Sequence, residues 1–345
     1  MSKVFDPDAA ASADAGLFGL PFSIDEARVV IVPVPFEATT SYGGGTVDGP
    51  AAVFEASKQV DLFDLEYGRV YAPGIAMCPL PAEVRAWNDE ARALAEPVIA
   101  NGGPGDDPAL VERLERVNAL SARLNMWVEA QVTQLLDAGH IVGVLGGDHA
   151  VPLGCIAAHA ARYPGMGVLH LDAHADLRVA YEGFTYSHAS IMHNALAEVP
   201  GVARLVQVGI RDFGEAEFAA IEAGGGRVRT FFDAELARRR FDGEPWSSVV
   251  REIVDALPQH VYLSFDIDGL DPTLCPHTGT PVPGGLQFQE ACALLSAVAK
   301  SGRTIVGFDL CEVAPGPYGD EWDGNVGARL LYKMVGATLR SRGET

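Results

Sequence analysis

The stretch Val168-Leu169-His170-Leu171-Asp172-Ala173-His174-Ala175-Asp176 decides how this chain is read. It begins as an apolar, β-forming run and ends in three groups that bind cations. Alternate residues of an extended chain share one face, so Asp172, His174 and Asp176 are expected to project together from the end of a strand. A second segment repeats the device: Val261-Tyr262-Leu263-Ser264-Phe265 is apolar up to Asp266 and Asp268, which again share one face. A third, Ile141-Val142-Gly143-Val144-Leu145, runs into Gly146-Gly147-Asp148-His149. The glycines there permit a tight turn at the carboxyl edge of a sheet, where open α/β sheets place their ligands.

Taken singly, D-x-H is commonly a turn or a surface pair, and D-x-D at a strand end is often unremarkable. Three strand ends carrying only metal-compatible groups are another matter. Clustered carboxylates in a partly buried site oppose joint ionisation unless a cation neutralises them. The six donors His149, Asp172, His174, Asp176, Asp266 and Asp268 offer nitrogen and oxygen without sulfur, which suits Mn²⁺, and nickel also accepts imidazole and carboxylate. Asp172 and Asp266 are placed to bridge two divalent ions at the ~3.5 to 4 Å separation of two-metal sites.

Outward from these motifs, apolar β-rich runs recur at Val29 to Val34, Leu205 to Ile210 and Thr304 to Leu310. Segments with helical spacing lie between them, at Leu110 to Asp137, Phe288 to Lys300 and Val326 to Arg340. This alternation predicts an α/β fold with a parallel sheet covered on both faces. One domain over 1–345 is expected, with an N-terminal extension at 1–27 and an insertion or loop at about 84–108. The latter contains the turn-forming run Ala100 to Pro108.

Composition narrows the partners. The chain has 345 residues, 48% hydrophobic and 21% charged, so it has material for a core and is not a disordered polymer. Its formal charge of -21 disfavours nucleic acid and favours cationic ligands. No apolar run approaches the ~20 residues of a membrane span. Five cysteines without a C-x-x-C pair, and a start lacking secretory-signal features, predict reduced thiols and a cytoplasmic location.

The three metal motifs, continuing through Ser264-Phe265-Asp266-Ile267-Asp268-Gly269-Leu270-Asp271-Pro272 and Thr278-Gly279-Thr280-Pro281, resemble the arginase and agmatinase superfamily of ureohydrolases. That resemblance runs from about the first strand to the C-terminus. It implies a three-layer α/β/α fold with a mostly parallel eight-stranded sheet, and a homotrimer or homohexamer. It implies one ion held by His149, Asp172, Asp176 and Asp266, and another by Asp172, His174, Asp266 and Asp268. It further implies a proton-shuttling histidine at His188 and a glutamate pairing with the substrate guanidinium at Glu312. The residues departing from the family pattern include Ala150 after G-G-D-H and Ala189 after His188, where serine and glycine are usual.

The chemistry follows from the substrate class. Guanidinium is a resonance-stabilised cation with a poorly electrophilic carbon, so two metals sharing one water would supply the nucleophile, and the departing nitrogen then needs a proton. A small cationic guanidino compound is the expected substrate, with urea as product. Arginases place an asparagine two residues after the last aspartate of D-A-H-x-D, whereas this chain has Arg178, followed by Tyr181-Glu182-Gly183-Phe184. This implies a closed entrance and resembles an agmatinase-like branch that includes guanidine hydrolases, for which nickel is the implied metal. Arg178, Thr280 and His277 are the remaining candidates for substrate contact, and His277 stands where small residues are usual. His170 is either support behind the metal ligands or a satisfied core histidine. Alternatives are an arginase or other guanidino-acid hydrolase, in which Arg178 grips a carboxylate, a one-zinc deacetylase of the same fold, and a non-catalytic subunit.

Overall fold

The computed structural model describes residues 5–344. Eight strands form one sheet: β1 (Val29–Val34), β2 (Ile75–Met77), β3 (Ile141–Gly146), β4 (Met166–Leu171), β5 (Val202–Ile210), β6 (Val228–Phe232), β7 (His260–Asp266) and β8 (Thr304–Cys311). Their order is β2-β1-β3-β8-β7-β4-β5-β6, and every neighbouring pair is parallel. Strands of this kind are buried on both faces, and β1, β3 and β4 are buried at every position. Alternate residues feed two separate cores: Leu169, Leu171, Leu263 and Phe265 pack on one side, and Val168, Val144, Val142 and Tyr262 on the other.

The helices predicted from spacing are Pro108–Asp137, Phe288–Lys300 and Trp322–Ser341. Asp107 caps the first, accepting from the Ala109 N–H, with Pro108 at the first helical position where its missing N–H costs nothing. The segment expected as an insertion or loop at 84–108 is helical for most of its length, as Ala82–Ala100, with turns only at 101–107. Val84, Trp87, Ala91, Ala95 and Val98 bury one face of it against the second core, a helical stripe that the turn formers after Ala100 obscured. The N-terminal stretch lacks long elements, yet it buries Leu17, Phe18 and Leu20.

This strand order positions everything that follows. β3, β8, β7 and β4 are consecutive in the middle of the sheet, although β3 and β8 are far apart in sequence. The strand ends carrying His149, Glu312, Asp266 and Asp172 therefore meet at one carboxyl edge. Gly147 sits where three of the loops touch. Its N–H donates to Val34 O at 2.9 Å, its carbonyl accepts from the Glu312 N–H at 2.8 Å, and a Cβ on it would stand 2.1 Å from Phe36 O. Gly147→Ala is expected to lower stability by about 2 to 4 kcal/mol, because the obstruction is backbone. A urea midpoint unchanged from wild type would show that the loop has room.

Candidate metal centre

β4 ends at Leu171, so the aspartates and histidine after it do not converge by strand parity as the sequence suggested. Beyond β4 the chain bends at Ala173, His174 forms a single parallel bridge with Asp212, and Asp176 takes the left-handed region, at φ 53°. The Asp176 carbonyl accepts from the N–H groups of Met192 at 3.0 Å and His193 at 3.1 Å, at the start of helix Ile191–Glu198. β7 behaves alike. Asp266 is its last residue and a single 3-10 turn, Ile267–Gly269, follows, in which the Asp268 N–H donates to Asp266 Oδ1 at 2.8 Å. A bend and a turn replace alternation because a carboxylate accepting from the N–H two residues on is a local bond competing with further extension.

The six predicted donors come together in two groups joined by Asp172. His149 Nδ1 lies 3.0 Å from Asp172 Oδ2, 3.2 Å from Asp176 Oδ2 and 3.4 Å from Asp266 Oδ2. His174 Nδ1 lies 3.4 Å from Asp172 Oδ1 and 3.1 Å from Asp268 Oδ2. Asp172 thus turns one oxygen to each histidine. His149 and all four aspartates are buried, while His174 is partly open to solvent.

The electrostatics show what such a site demands. Burial, reinforced by Asp268, Asp172 and Glu312, pushes the Asp266 carboxyl well above its usual range. Burial, and then the neighbouring Asp172, raises Asp176 to about 6. Burial works against a charge on His149 and His174, but the aspartates outweigh it and hold both rings protonated. Divalent ions fit the donor set, since they would neutralise the same carboxylates and take the Nδ1 lone pairs that those protons occupy.

The anchor behind His149 leaves no signature in the motifs. His149 Nε2 lies 2.9 Å from Ser264 Oγ, which donates to Asp309 Oδ1 at 3.1 Å. Such a partner fixes ring orientation in a metal ligand. Cys311 joins this anchor, with Sγ 3.7 Å from Asp309 Oδ1. His170 is no ordinary core histidine, because its Nε2 is 2.7 Å from Asp172 Oδ2.

A cavity of about 250 Å³ opens above the cluster, and His174, His188, Thr280, Arg178, Tyr181 and Asp212 are among its lining. Thr280 Oγ1 lies 3.4 Å from Asp268 Oδ2. His188 is half-buried at the start of a 3-10 turn, His188–Ser190, tied back by the Arg178 N–H donating to Ala189 O at 3.1 Å. Burial, and next the cationic His174, push the His188 pKa down to about 3, so the ring is neutral. Arg178 Nε is 3.4 Å from Glu217 Oε2, and the guanidinium stacks over Tyr181 at 4.9 Å from the ring centroid. Glu312 is buried with φ 63°, another left-handed residue of the kind that gathers at functional sites. Its Oε1 accepts from the His149 N–H at 2.9 Å, and its Oε2 has no hydrogen-bond partner among the described residues.

His277 does not join this group. Its Nδ1 is 2.7 Å from Asp323 Oδ1 and its N–H donates to Asp323 Oδ2 at 3.0 Å, so the ring is held at the start of helix Trp322–Ser341 and does not line the cavity. A carboxylate 46 positions away could not be foreseen from the motif. Glu37 is a residue that spacing did not single out. Its buried carboxylate accepts from the N–H groups of Gly45 at 2.8 Å and Val47 at 2.9 Å, folding the loop that brings Ser41 and Tyr42 to the cavity.

The comparisons agree with this geometry. Residues 27–336 match the model of the arginase family. An N(1)-aminopropylagmatine ureohydrolase of Thermus thermophilus is 35% identical over 314 residues, covering 90% of each chain. An agmatinase of Bacillus anthracis is 31% identical over 296 residues, covering 85% of this chain and 86% of the relative. Among solved structures, the proclavaminate amidinohydrolase from Streptomyces clavuligerus superimposes with a TM-score of 0.71 at 24% identity, over 96% of this chain and 99% of that one. With the fold, the placement of the motifs and this extent of similarity in agreement, the chain belongs to the arginase family.

Proposed function

We propose that this chain is a binuclear-metal ureohydrolase that cleaves a guanidinium C–N bond of a small guanidino compound and releases urea. The observation that carries it is Asp172, buried between two histidine and aspartate groups with one oxygen turned to each. His149, Asp172, Asp176 and Asp266 would hold one ion, and Asp172, His174, Asp266 and Asp268 the other, as Mn²⁺ or Ni²⁺. When bound, the two ions make water acidic enough to serve as a nucleophile at neutral pH.

The chain's own residues do the rest. Glu312 Oε2 lies beside Gly279, next to the cavity-lining Thr280, where burial and Asp148 raise its carboxyl well above the usual range. A guanidinium cation supplies the missing counter-charge and a hydrogen-bond donor. His188, whose low basicity lets it hold a proton only in passing, relays the proton released as water adds to the guanidinium carbon. It returns that proton to the leaving nitrogen as the C–N bond breaks. The acidic surface draws in any cationic guanidine. Arg178 over Tyr181 narrows the far end of the cavity, which favours a substrate without an α-amino acid head, free guanidine slightly ahead of agmatine. No helix among the described residues is long and apolar enough to cross a membrane, and all five cysteines are free. A cytoplasmic homotrimer or homohexamer completes the proposal.

Asp266→Ala should remove a ligand from both ions, so that metal content falls together with urea release. Unchanged metal content and turnover in that variant would end the two-metal model. In the wild type, two ions per chain support the hydrolase, a single zinc the deacetylase alternative, and none a non-catalytic subunit. Because the ions displace protons from His149 and His174, metal uptake should tighten as pH rises.

His188→Asn should keep both metals and lower turnover by roughly two to four orders of magnitude, the range for a positioned acid or base. Turnover at the wild-type level would move the proton transfer to another group. For the substrate, urea release from guanidine, agmatine, arginine, guanidinobutyrate and guanidinopropionate should be compared after loading with each metal. Guanidine or agmatine should give the highest kcat/KM. Arginine ranking first with both metals would reassign Arg178 as a carboxylate anchor.

A further inference from the structure

A chain of hydrogen bonds crosses three strands and ends on the shared aspartate. Gln207 on β5 is fully buried, and it stands opposite His170 on β4 and Thr230 on β6 in the parallel register. Gln207 Nε2 is 2.8 Å from Ala175 O, and Oε1 accepts from Thr230 Oγ1 at 2.9 Å. The Ala175 carbonyl can only accept, so the amide must present its NH₂ there; the opposite orientation would set carbonyl against carbonyl. The same Nε2 lies 3.0 Å from His170 Nδ1. A donor on that side requires a lone pair at Nδ1. With a lone pair at Nδ1, the ring proton sits on Nε2, 2.7 Å from Asp172 Oδ2. Every link runs in one direction, from Thr230 through Gln207 and His170 to Asp172.

The direction matters because His170 is near enough to act otherwise. Its ring nitrogen, His149 Nδ1 and oxygens of Asp172 and Asp176 lie within 4.8 Å of one another, close enough to surround one ion. With a lone pair on Nε2, His170 would become an additional ligand and fill a position that a catalytic site keeps open for water or substrate. As an N–H donor it instead fixes the rotation of Asp172, leaving Oδ1 turned toward His174. Resting on the two-cation reading above, we propose that Gln207 is a positioning residue. It holds His170 as the Nε2–H tautomer, so that the ring steadies the shared carboxylate and is withheld from the metals.

The test reads the tautomer directly and does not depend on hydrolysis. In the full chain labelled with ¹⁵N-histidine, the His170 signals, assigned by their loss in His170→Gln, should show a protonated Nε2 and an unprotonated Nδ1. They should keep that pattern after loading with diamagnetic Zn²⁺. A proton on Nδ1, or loss of the Nε2 proton on loading, would overturn the assignment. Gln207→Glu places an acceptor opposite Nδ1 and should move the proton there, and Gln207→Leu removes the donor. Both should weaken binding of Zn²⁺, measured by chelator competition, by about 10- to 100-fold. Unchanged affinity in both variants would refute a positioning role. Should neither variant fold, Gln207→Asn, which shortens the same amide, takes their place in the affinity measurement, and a wild-type proton on Nδ1 still overturns the proposal.

Discussion

Four aspartates and two histidines converge in a space from which water is largely excluded, and the rest of the molecule is arranged around the cost of that convergence. Unpaired buried carboxylates are expensive, and removing one partner of a buried pair costs more than the pair contributes. The cost shows in the shifts: burial drives the Asp266 and Asp176 carboxyls up, while the aspartates, against burial, raise the His149 and His174 rings. Such a site is poor as a stability device. It makes sense as a receptacle for cations, and Asp172, with an oxygen toward each histidine, makes it a receptacle for two.

A site of this kind needs walls that do not give way. β3, β8, β7 and β4 supply them, since each is paired on both sides and buried on both faces. The loops at their ends are locked by backbone contact, Gly147 against Phe36 and Val34, and Glu312 against Gly147. Two site residues, Asp176 and Glu312, occupy left-handed backbone, a conformation that persists only where surrounding bonds over-determine it. For Asp176 these are the two N–H groups of the helix beginning at Ile191.

Around the donors lies a layer of polar groups whose job is direction. Ser264 and Asp309 face the far nitrogen of His149, Gln207 faces that of His170, and Glu37 folds the Ser41 and Tyr42 loop over the opening. In the cavity wall, Arg178 stacks on Tyr181 and leans on Glu217.

What could be read without coordinates is what is encoded locally. Apolar runs such as Val29–Val34 and His260–Asp266 are strands because they are buried on both faces, and helices such as Phe288–Lys300 follow their own spacing. The six metal-type donors were legible because histidine and aspartate next to such runs have few other uses. Short β2 and β6 escaped notice, as three or five residues carry little periodicity, and the helix at 82–100 was hidden by the turn formers that follow it. The tertiary structure alone decided which strand ends are neighbours. It also decided that Asp172 to Asp176 converge through a bend at Ala173, that His277 belongs to Asp323, and that Gln207 and Asp309 stand behind the histidines. The physical reason is common to all of these. Hydrogen-bond partners and like charges act through distance in space, and the sheet order that sets those distances brings together residues separated by tens to hundreds of positions in the chain.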